Sequence, residues 1–184
     1  MGRAPRPWRL LRAEKWHSRQ VLLTTPRLRL CLVPPPFDPS GFDWVAEAPG
    51  AGVWELAGIT ARAAEVGWYV PPWGLFVIVR SADDHAIGGI GFHGPPSVAG
   101  EVELGYELAP GARGAGYATE AVRALAALAL EHADVRAVTA RTAPANTASQ
   151  AVLVRAGFAR VPVPPADGMV HFRLTELTEE PRRG

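Results

Sequence analysis

The chain has one lysine, Lys15, and one cysteine, Cys31, among 184 residues. A single cysteine excludes an internal disulfide and any cysteine cluster for zinc, and it is consistent with a reducing compartment. The five histidines are scattered; His85 and His93 have no partner at metal-ligand spacing, so no metal is expected. No apolar run approaches the roughly 20 residues of a membrane-spanning helix. The N-terminus also lacks the unbroken apolar stretch of a secretory signal. The expected location is cytoplasmic, with no membrane partner. Net charge of one sign is almost absent as well: 19 Lys and Arg against 18 Asp and Glu leave +1, too little to draw the whole protein to nucleic acid.

What is present is a globular composition, 48% hydrophobic, of a length that suits one domain. The basic residues are unevenly placed, with six Lys or Arg against one Glu in "MGRAPRPWRLLRAEKWHSRQ". We expect a basic, solvated extension over 1–20, a domain over 21–176 and a polar tail over 177–184. That arm is the one segment suited to nucleic acid, and such binding would fall steeply with salt. No internal repeat or long linker divides the domain. "RLRLCLV" alternates as a strand, and "LFVIVR", "AIGGIGF" and "EVELGYEL" follow as three more. Between Phe42 and Val66, glycines and a proline predict only short helices. "TEAVRALAALALEH" places Val122, Leu125, Leu128 and Ala129 at helical spacing. "VRAVTART" returns to strand. Asn146 then N-caps a short helix ending at Gly157, and "MVHFRLT" forms a last strand. The order is a meander followed by β, helix, β, helix, β, a mixed α/β class.

Chemistry concentrates at "GARGAGYATEA", Gly111 to Ala121, between a strand and a helix. A Walker-type loop needs a lysine after its second glycine, and none is available. A dinucleotide fingerprint fits poorly, because Thr119 stands at its third glycine. The remaining pattern, R-x-x-G-x-A on Arg113, Gly116 and Ala118, suits a diphosphate. Uncapped N–H groups of a first helical turn converge on the anion, each bond worth roughly 1.5–3 kcal/mol. The other reading is a glycine-softened turn beside a solvated arginine.

The loop and its flanks resemble the coenzyme A site of the GCN5-related N-acetyltransferase (GNAT) family. "VELGYELAP" precedes it as the family's central strand does. "NTASQAVLVRAGF" is similar to the family's N-x-x-S-x-x-x-L-x-x-x-G-F segment. "TPRLRL" and "GYATEAVRALAALA" bring the chain nearest to the subgroup acting on ribosomal-protein N-termini. The resemblance spans about Val21 to Thr175. It implies a central, mostly antiparallel twisted sheet with helices on both faces and a splayed parallel strand pair. It also implies acetyl transfer from acetyl-CoA to an amine, a protein N-terminus or a small molecule. Gly114, Ala115, Gly116, Tyr117, Ala118 and Thr119 would face the diphosphate, assisted by Arg113. The main chain of Glu107 and Leu108 would bond the pantetheine, and an N–H near a bulge at Tyr106 to Leu108 would hold the oxyanion. Asn146 would orient the cofactor.

Glu103 aligns with the carboxylate that serves as base in the family's histone-modifying members, and partial cover would raise its pKa toward a useful base; a solvated edge glutamate is the alternative. The family's tyrosine acid is replaced by Leu153, which leaves Ser149 as the substitute or as a helix-start serine. "GWYVPPWG", with Trp68, Tyr69 and Trp73, would form an acceptor wall or a staple under a loop. A non-catalytic acyl-CoA-sensing module on the same fold is the competing function. A homodimer is an open arrangement.

Overall fold

The computed structural model describes residues 20–45, 49–162 and 167–177. The expected extension over 1–20, apart from Gln20, and most of the expected tail lie outside these. Among the described residues are strands β1 (Gln20–Thr24), β2 (Leu28–Leu32), β3 (Leu75–Arg80), β4 (Ala86–Phe92), β5 (Glu101–Leu108), β6 (Ala137–Thr142), β7 (Ala159–Val161) and β8 (Val170–Leu174). The helices are α1 (Ala51–Glu65), α2 (Tyr117–Leu130) and α3 (Thr147–Arg155). The strands form one sheet in the order β1-β2-β3-β4-β5-β6-β8-β7. Every pairing is antiparallel except β5 with β6. This is the mixed α/β, mostly antiparallel architecture expected from the sequence.

Strand alternation sorts the apolar side chains onto two faces. Leu28, Leu30, Phe76, Ile78, Ile90, Phe92, Val102 and Leu104 pack with Val122, Leu125 and Ala129 of α2 and Leu153 of α3. Cys31, Val33, Leu75, Val77 and Val79 pack with Val53, Leu56 and Ala57 of α1. The helices thus divide between the faces: α2 and α3 on one side, α1 on the other.

The segment expected to hold only short broken helices contains a continuous 15-residue helix, α1, running through Gly52 and Gly58. An interior glycine costs about 1 kcal/mol against alanine. Two tertiary features offset that cost. Val53, Leu56, Ala57 and Thr60 recur at helical spacing and are buried on the sheet. The Glu107 carboxylate of β5 accepts from the Gly52 N–H at 2.7 Å and the Val53 N–H at 3.3 Å, placing an anion at the helix N-terminus.

Helix α2 starts two residues before the expected Thr119, directly after the loop. Helix α3 is capped as read: Asn146 Oδ1 accepts from the Ser149 N–H at 3.0 Å. At its end the Gly157 N–H meets the Val154 carbonyl and the Phe158 N–H meets the Leu153 carbonyl. Strands β1 and β7 were not anticipated.

Candidate active site

Pairing between β5 and β6 runs through three positions, Glu101 with Ala137, Val102 with Val138 and Glu103 with Thr139. Beyond Glu103 the two strands are no longer paired, and the unpaired edge of β5 that follows is the candidate slot. The β4–β5 ladder decides which main-chain groups face it. The His93 N–H donates to the Glu103 carbonyl and the Ala109 N–H to the Ile87 carbonyl, both at 2.9 Å. Alternation between these bonds turns the N–H and C=O of Gly105 and Glu107 toward β4, and those of Leu104, Tyr106 and Leu108 toward the slot.

Two expectations change here. The Glu107 main chain does not face the slot, because it belongs to the β4 ladder, and its side chain serves α1. The anticipated bulge near Tyr106 is not present either, because Leu104 to Leu108 pair one-to-one with Phe92 to Gly88. Tyr106 supplies the slot-facing N–H instead, and the Leu108 carbonyl accepts from Arg113 Nε at 3.0 Å.

At the mouth of the slot, the chain leaves β5 through a short 3-10 turn, Pro110–Ala112, and enters the glycine loop. Gly114 and Gly116 both have φ of 81°, a left-handed conformation that a β-carbon disfavours. Gly116 is the N-cap of α2 and contributes no side-chain cap. The Glu120 N–H is the first in the helix to reach a carbonyl, that of Gly116 at 3.1 Å, so the N–H groups of Tyr117, Ala118 and Thr119 project from the helix end. Residues 113–116 are exposed. The donor set and glycine geometry fit a diphosphate.

A brace not read from the sequence supports this loop. Arg27, in the β1–β2 turn, donates from Nη1 to the Ala115 carbonyl at 2.9 Å and from Nε to Glu120 Oε2 at 2.6 Å. Its guanidinium lies 4.8 Å from the centre of the Tyr117 ring. Thr25 Oγ1 and the Arg27 N–H both donate to Glu120 Oε1, at 2.6 and 2.9 Å. Burial pushes the Glu120 carboxyl up, but these donors outweigh it and hold it low. "TPR" in the sequence is therefore the clamp on the first turn of α2.

The slot has unlike walls. On the α2/α3 face, Tyr106 Oη lies 2.7 Å from Ser149 Oγ and 3.1 Å from the Ser149 carbonyl. Burial raises the Tyr106 pKa and the Ser149 contact opposes it, with a net rise. On the α1 face, Glu103 Oε1 receives Arg141 Nε at 2.8 Å and lies 3.3 Å from His93 Nδ1. Arg141 Nη1 continues to Asp167 Oδ2 at 3.2 Å, and Asp167 meets His171 Nε2 at 3.0 Å.

The expectation that Glu103 is raised toward a useful base is reversed. Burial pushes its carboxyl up, but hydrogen bonds and charge from His93 and Arg141 outweigh burial and hold it at about 2. Neither Arg141 nor the His93 contact is visible in strand periodicity, because both depend on strand registers across loops.

The aromatic stretch divides. Trp73 is buried edge-on against Phe92, with ring centres 5.0 Å apart, and Tyr69 packs edge-on to Phe37 at 4.8 Å; both act as staples. Trp68 is 70% exposed. A cavity of about 610 Å³ lined by Val70, Trp73, Pro95, Val98, His132 and Arg136 lies beyond Gly100, at the opposite end of β5 from the slot. Among the described residues no group of three or more His, Cys, Asp or Glu is placed to hold a metal ion, and no helix is long and apolar enough to cross a membrane.

Residues 6–159 match the family model described as an acetyltransferase (GNAT) domain. The uncharacterized N-acetyltransferase YjdG of Bacillus subtilis is 35% identical over 83 residues, 45% of this chain and 49% of that protein. The match thus spans about half the length of that relative. The solved acetyltransferase from Agrobacterium tumefaciens aligns at 25% identity and TM-score 0.60, over 84% of this chain and 94% of its own. RimL, a ribosomal L7/L12 alpha-N-protein acetyltransferase solved in complex with coenzyme A, shares the fold. Its TM-score is 0.63 at 15% identity, over 85% of this chain and 98% of its own.

Proposed function

The chain belongs to the GNAT acetyltransferase family, and on that premise we propose that it moves an acetyl group from acetyl-CoA to a primary amine, a peptide N-terminus or a small molecule. The observation that carries the reading is the slot. Beyond the Glu103 and Thr139 pair, β5 and β6 separate, which leaves the main chain of Tyr106 and the Leu108 N–H without a strand partner. An amide-bearing pantetheine chain is the kind of ligand that would complete such a strand edge.

The loop and α2 would hold the diphosphate through the Tyr117, Ala118 and Thr119 N–H groups, with Gly114 and Gly116 admitting it closely. Arg113, exposed beside them, adds positive charge at the mouth. Asn146 acts as the helix cap that fixes Ser149. When bound, acetyl-CoA supplies the acetyl carbon that the amine attacks. The Tyr106 N–H faces the slot where an oxyanion would need a donor. Ser149, positioned by its hydrogen bond with Tyr106, is the donor we assign to the departing thiolate. Because burial keeps Tyr106 protonated, its hydroxyl can donate to Ser149 Oγ and free the serine proton for that transfer.

The test is thiol release from acetyl-CoA across a panel of amines, including short peptides with free N-termini, together with calorimetric binding of coenzyme A. Turnover with at least one amine class is expected. Tight coenzyme A binding with no thiol release from any amine would instead establish the sensing module.

A further inference from the structure

Building on the acetyl-transfer reading, we propose that His93 is the base that takes the proton from the acceptor amine, and that Glu103 is a positioning residue holding the imidazole for that work.

The geometry begins with the β4–β5 register. His93 follows the last residue of β4 and sits directly across from Glu103, its N–H bonded to the Glu103 carbonyl at 2.9 Å. Paired residues project to the same face, so the imidazole and carboxylate meet on the α1 side, with Nδ1 3.3 Å from Oε1. That contact directs the second ring nitrogen along the strand. Nε2 lies 2.9 Å from where a β-carbon on Gly105 would stand, and Leu56 of α1 packs 3.6 Å from the same point. The absence of a side chain at 105 is therefore what lets the ring lie against β5. Gly105 is two residues past the last β5–β6 pair, where the slot begins. Nε2 therefore lies on the α1 face of β5 at the level where β5 and β6 cease to pair, on the face opposite Tyr106 and Ser149.

Glu103 is ill suited to the same task. Its Oε1 already receives Arg141 and His93, and a carboxyl held at about 2 sits at least about 5 pH units below an ordinary α-amine. A carboxylate in that state suits orientation: it fixes the Nδ1–H tautomer and leaves the Nε2 lone pair outward. Glu103 from β5 lies against the ring, Arg141 from β6 reaches it through the shared Oε1, and the apolar Leu56 from α1 lies beside the same point above Gly105.

In the step, Nε2 accepts one proton from the ammonium and becomes imidazolium. The neutral amine nitrogen forms its bond to the acetyl carbon while the carbonyl pair moves onto oxygen, toward the Tyr106 N–H; return of that pair breaks the carbon–sulfur bond, and the sulfur leaves with the bonding pair. A second amine proton replaces the one Ser149 gives to sulfur. The products are the amide, the thiol and an imidazolium that returns its proton to solvent.

Two readouts decide the assignment. Nitrogen NMR of the full-length chain, with labelled histidine, is expected to place the neutral-ring proton on Nδ1 of His93, and Glu103→Gln is expected to weaken that preference. Kinetically, His93→Ala should lower kcat/KM by about 100-fold or more and remove the acid limb of its pH profile, with coenzyme A binding unchanged and imidazole restoring part of the rate. Glu103→Gln should cost less and keep the limb. An active wild type with the proton on Nε2, or a His93→Ala variant that turns over normally while Glu103→Gln does not, overturns the base assignment alone. A wild type inert toward every amine removes the transfer reading and the base role together.

Discussion

On the α2/α3 side of the slot, Tyr106 and Ser149 meet through hydroxyls and bring no formal charge. On the α1 side, Glu103, His93, Arg141, Asp167 and His171 form a continuous run of ionisable groups. One strand makes both walls, since even positions of β5 face one way and odd positions the other. The difference shows how a single strand can serve two chemistries. Under the proposed transfer, the neutral wall would hold a sulfur without a fixed charge to compete with the thiolate, and the charged wall would move a proton and set its acidity.

The sharpest way to break this contrast is on the neutral wall. Tyr106→Phe and Ser149→Ala should each lower kcat by about 100-fold, and the double variant by no more, because the two hydroxyls act as one hydrogen-bonded unit. The pH profile should keep its shape, and steady-state kinetics across pH read both effects. Multiplicative losses in the double variant would mean that the hydroxyls act separately.

A smaller effect is expected at the mouth both walls share. Gly116→Ala places a β-carbon in a left-handed conformation costing about 1–2 kcal/mol; the free loop should relax to escape that strain, and binding must restore it, so coenzyme A affinity should fall by about tenfold. Calorimetry on the variant checks it, with the pH profile again unaltered.

The smallest concerns stability on the charged wall. The folded Glu103 carboxyl, at about 2, lies below its ordinary 4.5. Its contribution is therefore fully present above the ordinary value and lost as pH falls toward the folded one. Urea midpoints measured from about pH 6 down to about pH 3 should decline less steeply for Glu103→Gln than for the wild-type chain. Equal slopes would mean that Arg141 and His93 do not hold the carboxylate in solution.

The parts that were legible in the sequence are those the backbone dictates locally. Gly114 and Gly116 ahead of an apolar repeat mark the loop, and alternation through "EVELGYEL" sorts Glu103 from Tyr106. Asn146 and Gly157 bracket α3. What could not be read depends on register and on partners far along the chain. The seven residues between Phe92 and Gly100 leave the hairpin register undetermined, so the pairing of His93 with Glu103 is invisible before folding. Arg141 and Asp167 join them only once β6 and β8 are in place. Helix α1 is hidden in the sequence because Gly52 and Gly58 lower local propensity, whereas Glu107 and the sheet decide the outcome.

The clamp from Thr25 and Arg27 to Glu120 joins residues separated by 95 and 93 positions. An exposed ion pair of this kind adds at most about 1 kcal/mol to stability. Its larger consequence lies in connectivity: the shape of the glycine loop depends on the first strands being docked beside a helix nearly a hundred residues later in the chain. If coenzyme A binds at this loop as proposed, it would favour chains in which that long-range contact is made, and so stabilise the folded state by mass action.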